Sequence, residues 1–387
     1  MAAVLAALHF REPVVSRLGS LDAAGIRQAL DFCDRQGLTL LLRDILPAET
    51  ADAARNNRRR LQVAAETYRR LASLPGEFIA LKGITQCELF GIRPEDRAQY
   101  DIDLYFPRDT VDAARDALLA RNYDSIAGME KFPTDHLPGL FPHTKWRWRG
   151  DYFDPEMPLA IELHFQFWNP QLERLEAPGV EEFWKRRVRR TIGGADIAVL
   201  CPQDAVAYAA LHLLKHVLHG NTKVFHVFEL ASFLEKHAGD NRFWFEWKRM
   251  HAAALRRLQA AAFALAEAWF GCALAPAARE EIEDLPEGTR AWFAEFAASP
   301  VVQIFRPNKD ELWLHLSLLD RWPDQWSVAR RRLLPRNLPP PARATESQSR
   351  QAVYAAWFAA RLRHHLYSLG TTVTSYWRWR RRCSIRA

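Results

Sequence analysis

The sequence predicts an α+β fold: a small sheet with flanking helices, set between longer N-terminal and C-terminal helical regions. Three observations carry this. Short apolar runs bounded by breakers recur at 78–81, 100–106 and 159–165, as buried strands do. Helical patterns at 84–90 and 110–121 separate the first two runs and follow the second, so strands and helices alternate in a compact unit. Helical periodicity dominates before residue 75 and after residue 201.

The N-terminal region shows that periodicity in Ile26, Leu30, Cys33, Leu38 and Leu41. A second amphipathic stretch, 52–74, is very basic, and Arg58, Arg59, Arg60, Arg69 and Arg70 read as its solvated face. Pro75-Gly76 breaks the pattern, and Phe78-Ile79-Ala80-Leu81 starts the sheet. The segment 130–150 is irregular, rich in Pro, His, Trp and Arg. After Cys201-Pro202, helices are expected at 203–218, 223–237, 243–250 and 252–270. Residues 335–349 have linker composition, and a last helix at 353–369 leads into a basic aromatic tail. The expected division is therefore 1–75 helical, 76–200 α/β core, 201–334 helical, and 335–387 linker, helix and tail.

Composition narrows the function classes. With 387 residues, 49% hydrophobic and 26% charged, the chain is neither disordered nor a disulfide scaffold. Five scattered Cys without a CxxC pair suit a reducing compartment. No run reaches the roughly 18 apolar residues of a membrane span, and no basic residue precedes the short apolar N-terminus, so a cytoplasmic location is expected. The net charge of +7 is a mild bias toward anionic partners.

The chemistry concentrates on two strands. In Tyr100-Asp101-Ile102-Asp103-Leu104, residues two apart share a face, so Asp101 and Asp103 project together. Two adjacent carboxylates repel, and a hard cation such as Mg²⁺ or Mn²⁺ offsets that cost. In Leu159 to Phe165, Ile161, Leu163 and Phe165 form an apolar face, with Glu162 and His164 opposite. Three carboxylates on one sheet face can hold divalent ions for phosphoryl or nucleotidyl transfer. Upstream, Leu81-Lys82-Gly83 forms a strand-to-helix turn where backbone N–H groups can approach a phosphate, with Lys82 adding charge.

In order, Leu81-Lys82-Gly83, Arg97-x3-Asp101-Ile102-Asp103-Leu104, Ile161-Glu162-Leu163-His164 and Leu211-His212-Leu213-Leu214-Lys215-His216 resemble the bacterial uncharacterised nucleotidyltransferase family. That family belongs to the DNA polymerase beta-like superfamily, and the resemblance covers about residues 20–270. It implies a nucleotidyltransferase-type mixed sheet and a Mg²⁺-dependent transfer of NMP from an NTP. It implies Asp101, Asp103 and Glu162 as metal ligands, with Glu162 also a general base. Lys82, Gly83, Thr85 and Arg97 would meet the nucleotide; His164, Lys215 and Lys223 would contact substrate. The position after Gly83 is Ile84, where the wider superfamily has Ser or Thr, and the third carboxylate is Glu rather than Asp. A catalytically inactive nucleotide-binding or regulatory protein with the same fold is the alternative. The choice of NTP, ATP included, stays open. The acceptor stays open between a small molecule, a peptide, a protein and an RNA end.

His212 and His216 share a helix face at i, i+4. The Glu of HExxH is absent and the sequence indicates no third ligand, so the pair reads as a packed or acceptor-facing helix. In the C-terminal tail, Trp377 and Trp379 interleave with Arg378, Arg380, Arg381, Arg382 and Arg386. That composition suits weak contact with an anionic surface.

Overall fold

In the computed structural model of the chain, residues 1–125, 134–334 and 350–384 are described. The expected linker at 335–349 lies outside them. The architecture is α+β: a seven-stranded mixed sheet flanked by helices. The strands are β1 (Ile79–Ala80), β2 (Asp101–Tyr105), β3 (Tyr123–Ser125), β4 (Leu140–Pro142), β5 (Ala160–His164), β6 (Val188–Ile192) and β7 (Ala195–Val199). Their spatial order is β3-β4-β5-β2-β1-β7-β6. The strands β2 and β5 run parallel at the centre, and β1 lies antiparallel to β2.

The two sheet faces pack against different helices. Ile102, Leu104, Ile161 and Leu163 turn toward Ala64, Tyr68 and Leu71 of the Pro47–Leu71 helix and toward Val111, Ala114 and Leu118 of the Val111–Leu119 helix. On the other side, Ile79, Leu81 and Ala198 join a larger cluster with the Pro202–His219, Val224–His237 and Ala253–Phe270 helices. Pro at the first position starts the Pro202–His219 helix, and Gly220, left-handed at φ 68°, ends it. That helix lies over the sheet face that carries the acidic residues.

The hairpin β6–β7 escapes a reading by apolar runs. Arg189 and Arg190 interrupt its alternation, although Gly193-Gly194, both at positive φ, form the two-residue turn that such hairpins favour. The segment expected to be irregular contains β4, which pairs with both β3 and β5. Arg60 departs from the solvated face predicted for its helix. It is buried and donates to the carbonyls of Gln99 (2.6 Å), Asp154 (2.8 Å) and Met157 (3.2 Å). One guanidinium thus pins the backbone leading into β2 and that leading into β5.

The basic tail is not an extension beyond the last helix: a single helix runs from Arg350 to Ser384. Its Trp379 stacks on Trp313 (5.8 Å between rings) and donates to the carbonyl of Gly288 (2.8 Å). Arg378 and Arg382 both pair with Glu295. Trp379→Ala should therefore cost about 2 kcal/mol of stability, from lost ring burial and a lost hydrogen bond, read as a lower denaturant midpoint. Among the described residues no helix is long and apolar enough to cross a membrane.

Candidate active site

The register of the two central strands builds the site. On parallel β2 and β5, Asp103 stands directly opposite Glu162, and Asp101 opposite Ala160. With Ile102, Leu104, Ile161 and Leu163 committed to the core, the alternating residues Asp101, Asp103, Glu162 and His164 share the other face. Carboxylate oxygens of Asp103 and Glu162 and a ring nitrogen of His164 lie within 4.8 Å of one another. One cation could touch all three.

Asp103 is the electrostatic centre. Its Oδ1 receives Lys82 Nζ and His164 Nε2, each at 3.0 Å. Burial by itself raises the Asp103 pKa, but Lys82 and His164 outweigh it and hold the carboxyl well below the usual range. Asp101 goes the other way: burial and the neighbouring Asp103 charge raise it. Glu162 is pushed up to about 8 by desolvation, then by Asp103 and Asp101. Burial acts to lower the Lys82 pKa, yet Asp103, Asp101 and Glu162 together hold it above the ordinary value. The face therefore gathers three carboxyl groups around one ammonium, so that ionising all three calls for a further cation.

Gly83 follows Lys82 at φ 84°, a conformation that disfavours any side chain. The space is closed as well: a Cβ there would lie 2.4 Å from Gln99 Nε2. Gln99 itself joins the turn to β2, accepting from Ile84 N–H (2.9 Å) and donating to the Asp101 carbonyl (2.6 Å). Gly83→Ala should displace this amide and cost on the order of 2 kcal/mol. Thermal melting would show the loss.

The other expected site residues have partners of their own. Thr85 donates its hydroxyl to the Lys82 carbonyl (2.9 Å) and so closes the turn. Arg97, expected at the nucleotide, has its guanidinium taken up by Glu229 at 2.9 Å, with both side chains buried. Lys215 points to Asp135 (2.7 Å), whose carboxyl it holds low against the opposing effect of burial. Lys223 donates to the carbonyl of Arg35 and joins the Ala23–Gln36 helix rather than the acidic face. His164, expected to contact substrate, stands among the candidate ligands instead.

Sequence reasoning missed Gln99, Asp135, His226 and Glu229. Gln99 had a signal, since it lies two residues before Asp101 on the same strand path. The other three are brought in by tertiary packing and carry no local motif.

Residues 35–271 match the family described as "Uncharacterised nucleotidyltransferase". The chain belongs to that family. The matched region of this nucleotidyltransferase-family chain contains β1 to β7, the Lys82-Gly83 turn and the helices that cover the acidic face. No curated protein and no solved structure matches the chain.

Proposed function

We propose that this chain is a Mg²⁺-dependent (or Mn²⁺-dependent) nucleotidyltransferase of the DNA polymerase beta-like superfamily, a bacterial cytoplasmic enzyme. It passes NMP from an NTP to an acceptor hydroxyl, phosphate or amine and releases pyrophosphate. The observation that carries this reading is the pairing of Asp103 with Glu162 on parallel strands, which gathers three carboxylates on one face.

Asp101, Asp103 and Glu162 are the residues that would hold the cation, and their hard oxygen donors suit Mg²⁺. Bound there, a divalent ion supplies charge neutralisation at the phosphates and polarises the phosphoryl oxygen. The protein's own contribution is positioning and proton handling. The Lys82 ammonium and the backbone at Gly83 receive the triphosphate. Glu162, freed of its own proton when the cation binds, takes the proton of the acceptor nucleophile. Asp103 is held in place by His164, and the Arg60 contacts fix the two strands at their entry points.

A pH dependence follows from Glu162. Its pKa in the fold is about 8, above the ordinary 4.5. Between those values the folded state holds a proton that the unfolded state has lost. The Glu162 contribution to stability is thus full below pH 4.5 and is lost as pH rises through about 8. Cation binding must expel the same proton, so Mg²⁺ affinity should climb with pH up to about 8, and Glu162→Gln should flatten that climb. Calorimetric Mg²⁺ titration across pH measures both.

Isothermal titration with each NTP, with and without Mg²⁺, followed by pyrophosphate release in cell extract, tests the function. Mg²⁺-dependent NTP binding with release supports transfer. Binding without release under any acceptor pool would favour an inactive nucleotide-binding protein.

A further inference from the structure

The Arg350–Ser384 helix reverses the usual pattern of a surface helix. The face it turns to the protein holds Ser368, Thr372 and Ser375, all buried, beside the docked Tyr376 and Trp379. Ser375 Oγ receives Trp313 Nε1 there at 2.8 Å. Large apolar side chains stand on another face: Phe358, Leu362, Leu366, Val373 and Trp377 are between 46% and 62% exposed. A helix that only covers a core shows the opposite arrangement, and an exposed apolar stripe marks a contact surface. We propose that this stripe is an interfacial anchor that lays the helix in the surface of an anionic lipid bilayer.

The spacing makes one continuous stripe. Steps of four, four, seven and four residues hold the five side chains within an arc of about 100°. They extend over about 28 Å of helix. Arg363 and Arg381, both exposed, stand on the strip of helix surface next to it. The helix carries seven Arg and no Asp or Glu in its 35 residues. The carboxylate that meets Arg378 and Arg382 comes from Glu295 on the Glu287–Phe296 helix.

That charge decides the occupant. A second copy of the helix would bring seven Arg against seven with no carboxylate on either side, which repels. An RNA could meet the guanidinium groups, but Leu362, Leu366 and Val373 offer a base no ring to stack on. An anionic bilayer suits both features: the acyl boundary takes the apolar side chains, and headgroup phosphates take the Arg. The stripe lies outside the matched residues 35–271, so it is no part of the nucleotidyltransferase region. Trp379 and the Glu295 pairs fasten the helix to the rest of the chain, so attachment brings the carboxylate face to the lipid surface with it.

The test is flotation of the full chain with vesicles at low and high salt. Expected is binding to equimolar phosphatidylcholine and phosphatidylglycerol that weakens at high salt, and binding about tenfold or more weaker to phosphatidylcholine alone. The triple variant Leu362→Ser, Leu366→Ser, Trp377→Ser should lose about tenfold or more in affinity for the anionic vesicles. All three side chains are exposed, so circular dichroism and the urea midpoint should stay close to wild type. Arg363→Gln with Arg381→Gln keeps the stripe and should weaken binding at low salt. Absence of wild-type flotation with the anionic vesicles would overturn the proposal. So would equal binding by the folded triple variant, equal binding to both lipids, or salt-sensitive retention of RNA in place of vesicles. A dimer in solution that the triple variant dissolves would also overturn it, by assigning the stripe to a second copy.

Discussion

Asp103→Asn should eliminate nucleotidyl transfer, a loss of about 10²–10³-fold or more, and should also destabilise the fold. The second effect follows from its partners. Asp103 is 2% exposed and is the carboxylate to which both Lys82 and His164 are bonded. Removing its charge takes away the ion-pair partner of a buried ammonium and leaves His212 as its other hydrogen-bond partner, and breaking a buried pair costs about 3–5 kcal/mol. Asp101→Asn should behave differently in one respect. Its carboxyl is already held above its ordinary value by burial and by Asp103, so the neutral amide should leave the melting temperature unchanged or higher. Activity should be lost in both variants. Pyrophosphate release and thermal melting, run in parallel, separate the two effects. Full turnover in both variants, or equal melting shifts, would remove Asp103 from the centre of the site.

Arg97→Leu should be among the most destabilising single changes in the chain. Arg97 Nε and Glu229 Oε1 meet at 2.9 Å, with side chains 7% and 5% exposed. The pair fastens the segment entering β2 to the Val224–His237 helix. Leaving Glu229 as an unpaired buried charge should cost about 3–5 kcal/mol. Arg97→Leu combined with Glu229→Leu should recover part of that loss, since no charge then remains stranded. Urea unfolding of the two single variants and the double variant measures the coupling. Strict additivity would show that the pair does not act as a unit.

The carboxylate face was legible because strand periodicity is local. Alternation alone put Asp101 with Asp103 and Glu162 with His164, and only the strand register was needed to join the two pairs. The Lys82-Gly83 turn was legible for a similar reason: a Gly between strand and helix marks a special backbone conformation, and φ 84° is what the fold requires there.

What stayed hidden depends on distant partners. Arg60 looks like its neighbours Arg58 and Arg59 in a basic run, yet it is buried because three backbone carbonyls 39 to 97 residues away converge on it. Arg97 sits inside a motif associated with nucleotides, but Glu229, 132 residues on, takes its guanidinium. The pair His212 and His216 was visible as an i, i+4 spacing, whereas His226 belongs to another helix and joins them only by packing. The tail composition suggested an appendage, and distant partners such as Trp313, Gly288 and Glu295 make it part of the helical core.

The central claim is that the face shared by Asp101, Asp103 and Glu162 transfers a nucleotidyl group. Its most direct test uses NTPs labelled at the α-phosphate or the γ-phosphate, incubated with the protein, Mg²⁺ and cell extract. The predicted result is covalent transfer of the α-label alone to an acceptor, with the γ-label leaving in pyrophosphate and both outcomes absent in Asp101→Asn and Glu162→Gln. Transfer of the γ-label, or α-label transfer that persists in both variants, would contradict it.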